Sequence, residues 1–280
     1  MKKDVAVVIH LHSLKLNKYD TFNITNNIEK FKNFMIVFVC PRDVDVKKLG
    51  IKLPLNYQVQ VFKKKYFKDI KSYSKLLLSK SFYERFLNFK YILICQTDVL
   101  ILKDELKKWV NEDFDYIGAP WISKDINNNY SILGVGNGGF SLRKVQTHYN
   151  VLNSSQLYFD KAKLEALPVW FNLKTILSLK IVNQITKIVK IINPLSLFLW
   201  FFYKTDKYIN EDVFWCGYAA FFDPNYKIAS TQKALEFSFE CEPQYCFKIN
   251  NKKLPFGTHK WYQYNKDFWF ENVKELEEIK

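Results

Sequence analysis

Short apolar runs separated by polar, helix-spaced segments organise the first 120 residues of the chain. VAVVIHL (residues 5–11) and FMIVFVC (34–40) are continuous apolar stretches of strand length, the second closed by Pro41. YQVQVF (57–62) alternates with period two. SYSKLLLSKSFYERFL (72–87) sets Leu76, Leu77, Phe82, Tyr83 and Phe86 at helical spacing and predicts one helix, and YILIC (91–95) follows as a fourth strand. Strands that are apolar throughout, alternating with helices, predict a mostly parallel sheet covered on both faces. Ligands of such sheets sit beyond the carboxyl ends of the strands. Here those ends carry His10 and His12 after the first strand and Gln96-Thr97-Asp98 after the fourth.

Further on, KDELKKWV (103–110) reads as a short helix with acids in its first turn, and FDYIGAPW (114–121) as a strand ending in a turn. LGVGNGGFSLR (133–143) reads as a glycine-interrupted loop and strand. A helical insert is expected around residues 160–208. Over 164–208 it is rich in Leu, Ile, Phe and Trp, spaced by Lys174, Lys180, Lys187, Lys190, Lys204 and Lys207. Its apolar centre, IINPLSLFLWFFY (191–203), is shorter than the roughly 20 residues needed to cross a bilayer. Two readings stay open for it: a lysine-rimmed helix lying in a membrane surface, or an insert packed on its own domain. With no internal repeat or linker, one domain is expected over 1–280. Two halves are expected within it, about 1–121 and about 122–280.

Composition narrows the partners. The chain is 48% hydrophobic, ample for a core, and its 42 Lys+Arg against 28 Asp+Glu give a net charge of +14. That balance suits nucleic acid, an anionic membrane or a polyanionic small molecule. The basic residues are dispersed, with Lys63-Lys64-Lys65 the longest run, so nucleic acid is not an expected partner. Five cysteines without a CxxC pair, two of them in predicted strands, read as reduced thiols. The opening MKKDVAVVIHLHS is interrupted by Asp4, His10 and His12 and lacks a small-residue cleavage site. A cytoplasmic location is expected.

Four features carry candidate chemistry. Asp98 interrupts an apolar run, and an ionised carboxylate is rarely buried without a partner; it either caps a turn or holds a hard cation such as Mg²⁺ or Mn²⁺. Gly136, Gly138 and Gly139 around Asn137 allow close backbone approach to a ligand, or simply a turn before a strand. Glu211 and Asp212 open a helix in YINEDVFWCGY (208–218), where an acidic pair either suits the helix dipole or supplies a general base. His259, beside Lys260 and Trp261 in LPFGTHKWYQY (254–264), can ligate a metal or serve structurally.

In that order, YILICQTDVLI, FDYIGAPW, GNGGFSLR, NEDVFW and PFGTHKW resemble the GT-A glycosyltransferases, most closely a bacterial and viral family of GT-A-like domains of largely unassigned specificity. The resemblance implies an α/β fold, a Rossmann-like α/β/α sandwich around a mostly parallel sheet. It also implies transfer of a sugar from a nucleotide-sugar donor, bound by the half over about 1–121, to a glycan or lipid-linked acceptor served by the catalytic half over about 122–280, as in surface polysaccharide synthesis. The basic balance and the 164–208 insert add the expectation of peripheral contact at the inner face of the cytoplasmic membrane. By the same resemblance, Asp98 and His259 hold a divalent cation, Mn²⁺ or Mg²⁺. Gln96 stands where the family's DxD motif has its first Asp, so strict metal dependence does not follow from the motif. His10, His12, Gln96, Thr97, Gly138, Gly139 and Lys260 line the donor, and Trp121, Trp215 and Trp261 are candidates for stacking on a sugar. Asp212 is the base of an inverting reaction, with Glu211 the fallback. The alternatives are a metal-dependent nucleotidyltransferase and a non-catalytic sugar- or nucleic-acid-binding module.

Overall fold

A computed structural model describes residues 3–158, 173–189, 193–204 and 209–280. Among them the strands are β1 (Lys3–His10), β2 (Met35–Pro41), β3 (Tyr57–Phe62), β4 (Phe89–Cys95), β5 (Val99–Ile101), β6 (Tyr116–Gly118), β7 (Pro120–Lys124), β8 (Tyr130–Val135), β9 (Phe140–Lys144), β10 (Ser238–Phe239) and β11 (Gly257–His259). The main sheet has the order β3-β2-β1-β4-β9-β6. Its first four strands are parallel, and β9 runs antiparallel between β4 and β6. The expected α/β fold with a mostly parallel central sheet is thus present.

Both faces of the sheet are dry at β1, β2 and β4, which is why these strands read as nearly unbroken apolar runs, while the edge strand β3 is partly exposed. Ala6, Val8, Ile92 and Ile94 face one core, while Val5, Val7, Ile9, Leu93 and Cys95 face the other. Helices α1 (Lys18–Lys30), α2 (Ile70–Leu77), α3 (Lys80–Glu84), α4 (Leu106–Asn111) and α5 (Val145–Leu152) punctuate the strands. The single helix expected over 72–87 is broken into α2 and α3. Ser79 turns both its Oγ and its amide onto the Leu76 carbonyl, at 2.6 and 2.9 Å, and this local bond ends α2. Leu76, Leu77, Phe82, Tyr83 and Phe86 still all reach the core.

The expected insert is helical where described, as Leu173–Ile188 and Pro194–Lys204; its remaining residues (159–172, 190–192 and 205–208) lie outside the described residues. Leu179, Val182, Leu195 and Phe198 join the core of the domain, whereas Leu177, Ile181, Ile188 and Trp200 are exposed. No helix among the described residues is long and apolar enough to cross a membrane.

Candidate active site

The main sheet releases the chain at Cys95. The Val99 amide donates to the Gln96 carbonyl at 3.1 Å, closing a turn over Gln96-Thr97-Asp98. β5 then leaves for a second sheet of order β10-β11-β5. Carboxamides on one face of α1 hold this segment much as a neighbouring strand would. Asn27 donates to Val99 O (2.7 Å) and accepts from Ile101 N (3.0 Å), Asn23 donates to Thr97 O (3.1 Å), and Asn26 donates to Ile101 O (2.9 Å). These asparagines, spaced by three and four residues on a helix, are functional positions that the apolar pattern could not flag.

β11 pairs antiparallel with β5 and sets His259 opposite Val99. His259 Nε2 therefore lies 3.1 Å from Asp98 Oδ1 and 3.3 Å from Gln96 Oε1. The approach to Asp98 is an ion-pair contact off the hydrogen-bond direction, so Oδ1 is buried with no hydrogen-bond donor. On the other side of the ring, His259 Nδ1 meets Glu240 Oε1 at 3.1 Å, and Lys260 Nζ donates to the same oxygen at 3.2 Å. Burial works to lower the His259 pKa, but Asp98 and Glu240 overcome it and hold the imidazole at about 9. Burial likewise works to raise Asp98, and His259 and Lys260 hold it below the ordinary carboxylate range.

This donor set fits a hard divalent cation. Glu240 accepts a hydrogen bond from Nδ1–H and so orients the ring with Nε2 toward Asp98, a common second contact behind a metal-binding histidine; a cation bound there would displace the Nε2 proton. The orphaned Asp98 Oδ1 supplies charge and Gln96 Oε1 a neutral oxygen. Among the described residues no group of three or more His, Cys, Asp or Glu could hold a metal ion. A cation here would complete its shell with water or ligand oxygens.

The antiparallel register of β4 and β9 pairs Cys95 with Phe140 and so lays residues 136–139 beside the turn, where Gln96 N donates to Gly139 O at 3.0 Å. A Cβ on Gly139 would fall 2.3 Å from the His259 ring, and one on Gly138 only 1.8 Å from Glu211 Oε1. Only glycine fits either place. The Gly138 amide donates to Asp212 Oδ2 (3.2 Å) and the Val213 amide to Oδ1 (2.8 Å). Burial pushes the Asp212 carboxyl up, partly offset by those two amides. Consecutive glycines thus contact the candidate base on one side and the His259–Asp98 pair on the other.

Glu211, the expected fallback base, has a different role. Arg143, wholly buried on β9, grips both its oxygens at 2.7 and 2.9 Å and also donates to Gly138 O (3.2 Å), Ser141 Oγ (2.9 Å) and Tyr83 Oη (3.3 Å). Burial raises the Glu211 carboxyl to about 7 even though the guanidinium pulls it back, and Glu211 in turn holds Arg143 charged against its own burial. This ion pair braces the glycine loop from beneath.

Three further expectations are corrected. Trp261 is buried, its Nε1 donating to Asn23 Oδ1 at 2.9 Å, and Trp215 is buried against Tyr83, His148 and Phe214. Neither indole offers a face to a sugar. Trp121 is half-buried, its ring lying where a Cβ on Gly136 would be, and it keeps the stacking candidacy. His10 does not open on the cleft either. It is buried between Tyr73 and Phe82, ring centroids 5.0 and 6.1 Å away, and neither of its nitrogens is hydrogen-bonded. His12 is exposed, 5.9 Å from the rings of Phe67 and Tyr73, and partial burial of its ring lowers its pKa, with Asp98 acting in the opposite direction. Thr97 enters through its carbonyl.

Burial pushes His10 well below its ordinary pKa, as it does His148, whose ring bonds Lys144 O and Tyr226 Oη. A depressed histidine binds its proton only after unfolding, so its contribution is complete above the unfolded pKa of about 6.5 and is lost as the pH falls below it. Each is expected to steepen the loss of stability by up to about 1.4 kcal/mol per pH unit. Urea unfolding between about pH 7 and pH 5.5 checks this: His148→Phe should flatten the slope, and an unchanged slope would refute it.

Comparisons with known proteins follow the fold. The galactosyltransferase LgtC, solved with donor and acceptor sugar analogues, matches at 13% identity over 91% of this chain and 86% of its own, with a TM-score of 0.46. The 4-diphosphocytidyl-2C-methyl-D-erythritol synthase of Anaerococcus prevotii matches at 10% identity over 54% of this chain and 75% of its own (TM-score 0.35). Core-mannan synthase A of Aspergillus fumigatus, in its Mn/GDP form, does so at 10% over 54% and 63% (TM-score 0.34). With TM-scores under 0.5, none of the three bears on the chemistry of the site. No curated protein matches the sequence. Residues 56–259, most of the chain, match the family described as protein of unknown function (DUF5672), and the chain belongs to that family.

Proposed function

We propose that the chain is a glycosyltransferase that moves a sugar from a nucleoside-diphosphate sugar to a hydroxyl of a glycan or lipid-linked acceptor, with inversion. The observation that carries this reading is the glycine loop 138–139, which touches Asp212 on one side and His259 with its orphaned Asp98 oxygen on the other. Asp212 accepts the proton of the acceptor hydroxyl. The freed oxygen attacks the anomeric carbon, and the bond to the diphosphate breaks with its electron pair on the leaving oxygen. Asp98 and His259 would hold a divalent cation, with Glu240 fixing the imidazole. When bound, that cation supplies positive charge against the leaving diphosphate. Lys260 stands beside the pair as a further cation. Trp121 is the surface on which a sugar would stack.

The acceptor clause rests on the insert. Leu177, Ile181 and Ile188 fall on one face of their helix beside the exposed Lys180 and Lys187, and Trp200 is exposed on the next. Such a face suits peripheral contact with an anionic leaflet, where lipid-linked acceptors of surface polysaccharide synthesis are held.

Incubation with a panel of nucleotide-sugars and Mn²⁺ tests the reading. Release of nucleoside diphosphate from one donor is expected. Pyrophosphate release from a nucleoside triphosphate would instead make the chain a nucleotidyltransferase, and binding with no turnover of either would make it a binding module.

A further inference from the structure

A second cleft lies on the same edge of the sheet as Asp98, beyond the carboxyl ends of β2 and β3. Its volume is about 910 Å³, and its walls bring together Arg42, Lys63, Lys64 and Arg85 against one carboxylate, Asp43. Lys64 is taken up by Asp43 at 2.6 Å. Arg85 is built in rather than free. Its guanidinium lies 4.0 Å over the Phe62 ring, and Nη1 donates to Gln60 Oε1 (3.1 Å) and Val61 O (2.9 Å). Both bonds use one nitrogen, so Nε and Nη2 keep their hydrogens for a ligand. Arg42 and Lys63 are exposed and make no ion pair or side-chain hydrogen bond among the described residues.

We propose that this cleft is a binding site for a phosphoryl group, distinct from the Asp98–His259 site. Three uncompensated cationic side chains, one of them a planar fork fixed in orientation, match a dianion better than a carboxylate. One wall of the cleft reaches toward the first strand's carboxyl end: the 63–67 segment ends in Phe67, whose ring meets that of His12 at 5.9 Å. A phosphate held here sits at the ligand-binding edge of the sheet, positioned for a substrate that carries it into the cleft. The carrier is either a soluble phosphate ester or a lipid headgroup.

The site needs no sugar transfer, so its test is a binding measurement. Calorimetry with inorganic pyrophosphate, in the presence of EDTA, compares the full chain with Arg42→Gln/Lys63→Gln, with Asp98→Ala, and with Lys47→Gln/Lys48→Gln, a charge-matched control outside the cleft. Cosedimentation with phosphatidylcholine vesicles, with and without phosphatidic acid, runs on the same four proteins. Binding weakened at least about tenfold in Arg42→Gln/Lys63→Gln and kept in the other two supports the site. Seen with pyrophosphate, that pattern identifies a soluble ester; seen with phosphatidic acid vesicles alone, it identifies a headgroup. Equal loss in the lysine control, loss in Asp98→Ala instead, no change in Arg42→Gln/Lys63→Gln, or no binding of either probe would overturn it.

Discussion

Asp212→Asn is expected to slow sugar transfer by about 10²–10⁴-fold, the usual contribution of a positioned general base, with little change in donor affinity. The substitution keeps the size of the side chain and an oxygen for the Val213 amide. It removes the charge that takes the acceptor proton. Because burial holds the Asp212 carboxyl above the ordinary carboxylate range, the wild-type rate should fall on acidification at a higher pH than an exposed Asp would give. That acid limb should be absent in the variant. Initial rates of nucleoside diphosphate release across pH test both statements. A variant with wild-type turnover would remove Asp212 from the mechanism.

Arg143→Met should cost about 3–5 kcal/mol of stability, because it leaves the Glu211 carboxylate buried without its partner. The loss also frees the Gly138 carbonyl, so whatever folded variant survives should bind donor poorly. Arg143→Met/Glu211→Gln should recover a substantial part of the stability, since the double change no longer buries an unpaired charge. Chemical denaturation of wild type, the single and the double variant measures the coupling. Additive losses would mean that the pair is not the brace described above.

The strands β1, β2 and β4 were legible because sheet faces covered on both sides demand apolar residues at nearly every position, and the edge strand β3 because it alternates with period two. Helix α1 was not, because half of its buried face is Asn23 and Asn27, beside Ile24 and Ile28, and their carboxamides serve backbone groups of another segment. The apolar run on both sides of Asp98 also hid a change of sheet: YILIC was legible as a strand ending before Gln96, but nothing in VLI marks β5 as a strand of a second sheet. Within the site, Asp98 and His259 stood out as polar residues in apolar or aromatic settings. Glu240 did not, since nothing in FSFECEP marks it until β10 and β11 pair and bring it to the imidazole. Adjacent Glu211 and Asp212 are alike in sequence. What separates them is Arg143, far away along the chain, which claims the first and leaves the second to two amides. Trp215 and Trp261 have the composition of a sugar platform, but their burial denies them the face.

The claim on which the rest depends is that Asp98 and His259 receive a cation-bound nucleoside diphosphate. Thermal unfolding of wild type and Asp98→Ala with a panel of nucleoside diphosphates, with and without Mn²⁺, tests it most directly. A ligand at 100 times its dissociation constant stabilises by about 2.7 kcal/mol, which for a domain near this size is a shift of about 5–10 °C. The account predicts such a shift for one nucleotide, dependent on Mn²⁺ and absent in Asp98→Ala. A shift that is indifferent to Mn²⁺ and survives in Asp98→Ala, or no shift with any nucleotide, would contradict it.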